Sequence, residues 1–95
     1  MKKGNYVIVR SNMAGVFAGT FVSKTGTEVV LTDARKIYSW RGANTVEDIA
    51  AKGVDAENSR ITVSVAEIVI DDVCQVLVAT KEAEKVIKGA ETWTA

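Results

Sequence analysis

Apolar positions along this chain recur mostly with the two-residue period of strands, and only twice with the wider spacing of helices. The aromatic and β-branched run Tyr6-Val7-Ile8-Val9-Arg10, closed by polar Ser11-Asn12, predicts a first strand. From Gly15 to Val22 apolar residues fall on both faces around two glycines, and Lys24-Thr25-Gly26-Thr27 supplies a hairpin turn before Glu28-Val29-Val30-Leu31-Thr32. A glycine inside a strand marks a bend or a close backbone approach. A further run, Arg35 to Arg41, continues or resumes this strand and stops at Gly42.

Asn44-Thr45 has N-cap chemistry, Glu47 and Asp48 follow where the helix dipole favours acids, and Gly53 is a natural C-cap, so a short helix is expected between them. Residues 54–59 read as a loop. Arg60 to Val65 alternates cleanly, but Ile68 and Ile70 continue in the opposite phase, which predicts a bulge near Ala66-Glu67. After an Asp71-Asp72 turn, Val73 to Ala79 forms the last strand. Thr80 caps a second helix over residues 81–88, with Ala83, Val86 and Ile87 on one face and Gly89 at its end. Trp93 is expected to anchor the tail. Bent strands in a short meander predict a mainly β fold: one domain over residues 1–95, a small, strongly bent five-stranded barrel with two short helices.

Composition narrows the chemistry. Cys74 is the single cysteine and there is no histidine, so neither a disulfide framework nor a cysteine-clustered zinc site can form. No serine-nucleophile elbow, phosphate-loop lysine motif or metal-ligand spacing is present. Adjacent Asp71 and Asp72 fit a turn better than an acid–base pair, and Cys74, inside an apolar strand, reads as inert core. A non-enzyme without cofactor or metal is expected; an enzyme using only carboxylates, lysine or tyrosine is the residual alternative. The first apolar run stops at Arg10, too short for a signal-peptide core or a membrane span, and cysteine usage fits a reducing cytoplasm. A domain of this size leaves apolar surface uncovered, so homo-oligomerisation is expected. Net charge is zero, yet residues 1–44 hold seven Lys/Arg against two Asp/Glu, and residues 45–95 hold five against ten. That asymmetry disfavours a uniformly basic nucleic-acid binder but leaves room for a local anion site or for head-to-tail contact between subunits.

The stretch from Gly15 to Ala34, GVFAGTFVSKTGTEVVLTDA, resembles the first motif of Sm-like proteins, and Ile68-Val69-Ile70-Asp71-Asp72-Val73 is similar to their second. The resemblance implies a bent small barrel, often assembled into rings. The chain departs from it where RNA is read: Glu28 stands where RNA binders carry a base-reading asparagine, and Ile70-Asp71-Asp72 replaces an Arg-Gly or Lys-Gly step. Acids there repel phosphates. The chain as a whole, especially Tyr6 to Gly19 and Asp33 to Ala43, is also similar to short proteins of tailed phages and prophages. That resemblance implies a bacterial host cytoplasm and a role in countering host defence.

Arg35-Lys36-Ile37-Tyr38-Ser39-Trp40-Arg41 packs three cations and two large aromatics into seven positions. Arginine forks phosphate and aromatic faces stack on bases, so the segment suits a nucleotide. The expected contacts are Arg35 and Arg41 for phosphate and Tyr38 and Trp40 for stacking, with Arg10 and the Ser11-Asn12 loop as anchors. In a regular strand Arg35, Ile37, Ser39 and Arg41 share one face and Lys36, Tyr38 and Trp40 the other, so one ligand reaches both sets only across a bulge or a subunit boundary. The competing reading packs the aromatics against a helix or partner and leaves the arginines solvated. Three functions stay open at this level: a binding protein that sequesters a nucleotide-derived host immune signal, a module that docks a host or phage protein, and an Sm-like RNA-binding ring.

Overall fold

Each strand of the central meander carries apolar residues on both faces, and the computed structural model, which describes residues 1–94, buries both. Its elements are β1 (Tyr6–Ser11), β2 (Gly15–Thr25), β3 (Glu28–Ser39), α1 (Val46–Lys52), β4 (Arg60–Ile61), β5 (Val65–Ile70), β6 (Val73–Val78) and α2 (Lys81–Gly89). The sheet is antiparallel, in the order β4-β3-β2-β1-β6, with β5 also paired to β3. Tyr6, Ile8, Val16, Ala18 and Ile37 face the helices and pack with Val46, Ile49, Ile61 and Ile87. Val7, Val9, Phe17, Phe21, Val29 and Leu31 face the other way and are covered by Ile70 and Val73, where the sheet curls over itself.

The mainly β reading with two short helices holds, but the strand count is six rather than five. The extra strand is the two-residue β4. No ladder joins β5 to β6 among the described residues, so the sheet is open. The Asp71-Asp72 turn between those strands, with Asp72 at φ 55°, engages other loops instead: the Asp72 carbonyl accepts from the Asn12 amide at 3.1 Å and the Val73 amide donates to the Thr27 carbonyl at 2.9 Å.

One bulge sets the phase of β3. Ala18 pairs with Arg35 and Thr20 with Thr32, so Asp33 and Ala34 together oppose Gly19, and Asp33 takes up the extra residue at φ 48°. Gly19 suits the close approach there, because a Cβ would lie 3.1 Å from both the Ala34 Cα and the Thr32 carbonyl oxygen and would push the strands apart by a few tenths of an ångström. Before the bulge, Val29 and Leu31 point away from the helices; after it, Arg35 and Ile37 point toward them.

That phase change carries Arg35 beneath the C-terminal end of α2, where it is 6% exposed. Its Nε donates to the Thr62 carbonyl at 2.9 Å, and Nη1 donates to the carbonyls of Ile87 at 2.8 Å and Ala90 at 2.7 Å. A cation at a helix C-terminus meets the negative end of the dipole and the carbonyls the helix leaves unpaired. The expectation of one continuous strand from Arg60 to Val65 with a bulge near Ala66-Glu67 is corrected: the break falls at residues 62–64. There the Thr62 carbonyl serves Arg35 and the Thr62 Oγ1 accepts from the Lys36 amide at 2.9 Å, while β4 follows one half of β3 and β5 the other.

The helix boundaries follow their caps. Thr45 Oγ1 accepts from the Asp48 amide at 3.2 Å, Gly53 at φ 83° donates to the Ile49 carbonyl at 2.8 Å, and Thr80 Oγ1 accepts from the Ala83 amide at 3.1 Å. Cys74, expected in the core, is exposed, because β6 is an edge strand and turns its neighbour Val73 inward instead.

Arg35→Ala is expected to lower the unfolding free energy by about 3 kcal/mol, since it leaves buried carbonyls without donors. Arg41→Ala, on an exposed side chain, is expected to change it by less than about 0.5 kcal/mol. Urea unfolding of both variants checks the contrast.

Candidate functional site

The sharp turn between β1 and β2 stands beside the second half of β3 and leaves a groove of about 340 Å³ between them. Asn12, Met13 and Gly15 line one wall, and Lys36, Tyr38 and Trp40 the other. The turn is held from below by Ser11, whose buried hydroxyl donates to the Asp71 carbonyl at 2.7 Å and accepts from the Ala14 amide at 3.2 Å. Ser11 therefore shapes the loop, and its hydroxyl already has partners on both sides. On the opposite wall Lys36 extends past Gly15 and over the Phe17 ring, with Nζ 5.7 Å from the ring centre.

The aromatic residues of β3 diverge. Trp40 lies just past the strand end, donates from Nε1 to the Ala43 carbonyl at 3.2 Å and packs against the helix-side core, leaving only part of its ring at the groove. Tyr38 stands on the outer face, 56% exposed, and stacks on Trp93 with centroids 5.2 Å apart and planes 8° from parallel. The Arg60 guanidinium lies over the same Trp93 ring at 5.2 Å. Trp93 does anchor the tail: its amide donates to the Ile61 carbonyl at 2.8 Å, against the edge strand β4.

Of the residues expected to form one site, Asn12, Tyr38 and Trp40 meet in the groove, with Ser11 directly behind. Arg35 does not join them, because the bulge at Asp33 sends it to the helix side of the sheet, where three of its donor positions hold main-chain carbonyls. Arg10, exposed on β1, and Arg41, exposed beyond β3, also lie outside the groove lining. Arg41 serves the loop through its main chain: its amide donates to Ser59 Oγ at 3.1 Å and its carbonyl accepts from the Asp55 amide at 2.8 Å. Sequence reasoning passed over Lys36 and Met13 as site residues, and missed the contribution of Arg60 and Trp93 to the aromatic face. The available signal was that Lys36 and Tyr38, two apart on a strand, share a side. The pairing of Tyr38 with a tail tryptophan had none.

A family model described as a domain of unknown function, DUF6948, matches residues 4–87. The chain belongs to the DUF6948 family. The DUF6948 span includes the whole groove and Arg60 but stops short of Trp93. No curated protein and no solved structure gives a significant match. Among the described residues, no group of three or more His, Cys, Asp or Glu could hold a metal ion, and no helix is long and apolar enough to cross a membrane.

The Tyr6 phenol is strongly perturbed. Burial pushes its phenol up to about 12, with Arg35 pulling the other way and Glu84 and Asp33 adding to the rise. The folded state thus keeps a proton that the unfolded chain releases near pH 10. The associated stability is present below pH 10 and is lost as pH rises toward 12. Because the Tyr6 hydroxyl is buried without a partner, Tyr6→Phe is expected to be neutral or stabilising by up to about 1 kcal/mol, and to flatten this alkaline decline; urea midpoints across that pH range measure both. For the exposed stack, a double-mutant cycle of Tyr38→Ala and Trp93→Ala is expected to give a coupling of about 1 kcal/mol.

Proposed function

We propose that this DUF6948 protein is a non-enzymatic binding protein that holds a nucleotide-derived small molecule in the groove between the β1–β2 turn and β3. The observation that carries the reading is the convergence of Lys36, Tyr38 and the Asn12 to Gly15 turn on one cleft. Tyr38 offers an aromatic surface for a base, Lys36 a mobile cation for a phosphate, and Asn12 an amide that can both donate and accept. Holding without altering suits a lining that has a cation and no carboxylate, thiol or imidazole. In the phage setting implied by the sequence resemblance, retention of a host immune signal is itself the function.

The sheet is read as a relative of the small Sm-like and SH3-like barrels, supported by the neighbour order β6-β1-β2-β3-β5 and by the two register shifts that bend β2 against β3. Association of copies is supported by exposed Val65 and Val69 on β5 and Val78 on β6. An RNA-binding ring is disfavoured: the hydrogen bond from Val73 to Thr27 draws together the two turns where RNA binders of that class carry their contacts, and here Glu28, Asp71 and Asp72 stand there. Docking of a protein is the second reading, favoured by Met13, which is 86% exposed on the groove wall.

Native mass spectrometry of protein purified from bacteria with an active nucleotide-signalling defence is expected to show a retained small mass that vanishes on denaturation. Tyr38→Ala is expected to weaken retention by about tenfold or more, the scale of one lost base stack, and Lys36→Ala to do likewise. A wild-type protein that stays empty, or retention unchanged in both variants, overturns the assignment; an empty protein that instead recovers a stoichiometric protein partner supports docking.

A further inference from the structure

A second concavity lies on the helix side of the sheet, apart from the groove, where β3, the break at residues 62–64, the end of α2 and the tail meet. It encloses about 490 Å³ and is lined by Asp33, Arg35, Ser64, Lys88, Ala90 and Thr92. Arg35 is buried, and among the described residues no carboxylate stands within ion-pair distance of it. Nε and Nη1 are committed to carbonyls, but Nη2 has only a long contact of 3.5 Å to Thr92 Oγ1. Lys88 adds an ammonium that pairs with Glu84 at 2.6 Å and lies 5.2 Å over the Tyr6 ring. Tyr6 is itself a buried hydroxyl donor without a partner, within the field of Arg35 and Asp33. Ser64 and Thr92 contribute hydroxyls from two further segments.

A buried cation whose Nη2 holds a single long contact to Thr92, beside an ammonium shared with Glu84 and two hydroxyls, is a donor set that an oxyanion can engage. We propose that this concavity binds a phosphate-type oxyanion, held by Arg35 Nη2, Lys88 Nζ and the Ser64 and Thr92 hydroxyls. Donors arriving from four chain segments suit a tetrahedral group better than a planar carboxylate. Asp33, on the same lining, opposes a doubly charged ion and favours a single negative charge, as on a phosphodiester or dihydrogen phosphate. Because Thr92 belongs to the tail, occupancy also ties the tail to the body of the protein.

The site is separate from the groove and is tested without the groove's ligand. Inorganic phosphate is titrated into the full chain at constant ionic strength, followed by the Arg35 Nε–Hε, Ser64 and Thr92 proton–nitrogen resonances, with acetate in a parallel series. Saturable shifts at these three positions are expected with phosphate, and weaker ones with acetate. Lys88→Gln is expected to weaken phosphate by about tenfold, the effect of one charge-assisted hydrogen bond, and Asp33→Asn, which tolerates the same backbone conformation, to strengthen it. Shifts that never saturate, that acetate reproduces at equal affinity, or that neither variant alters overturn the proposal.

Discussion

A guanidinium that forms no ion pair among the described residues joins four segments of this chain, and the architecture is arranged around that fact. Arg35 reaches from β3 to the 62–64 break, the last turn of α2 and the tail, and it meets carbonyl oxygens almost throughout. A helix end presents several acceptors that no backbone amide can reach, and a planar fork of donors satisfies more of them at once than any other side chain. The cost of removing a full charge from water is offset by those charge-assisted bonds and by the negative end of the α2 dipole. Loss of the guanidinium would therefore release the second helix and the tail together, which is why the contact matters more than its count of bonds suggests.

The contact exists only because β3 changes phase. Without the extra residue at Asp33, the alternation begun by Val29 and Leu31 would turn Arg35 toward the cluster of Phe17 and Phe21, where a charge has no partner. The same shift sets Ile37 against α1 and α2 and leaves Lys36 and Tyr38 outside. Thus one backbone irregularity decides the placement of the structural arginine, the second core and the groove's cation and aromatic wall.

Much of the framework was legible. Caps at Thr45, Gly53 and Thr80 combine a side-chain or backbone requirement with a local pattern, and so did the Gly26 hairpin. The face shared by Arg35 and Ile37 was also readable, since two-residue alternation holds beyond the bulge. What escaped was tertiary. Nothing local distinguishes an arginine that will solvate from one that will lie under a helix end 52 residues further along the chain, and strand period alone placed Trp40 beside Tyr38 when the strand in fact ends at Ser39. The break at residues 62–64 was missed for a related reason: it lies opposite Arg35 and Lys36, where Thr62 bonds both, contacts that local alternation does not reveal.

The close approach of Gly19 to Ala34 gives the fold an unusual sensitivity to length. A substitution near the bulge alters packing, whereas deleting Asp33 or inserting a residue beside it would leave composition almost intact and invert the side on which every later β3 residue emerges. Arg35 and Ile37 would then exchange places with Lys36 and Tyr38, hiding the groove's wall and exposing the core's. Length changes in this family should therefore collect in the surface connections, such as residues 55–59, and leave the seven positions between Thr27 and Arg35 uninterrupted, so that the spacing there is inherited as a unit even where the residues themselves drift.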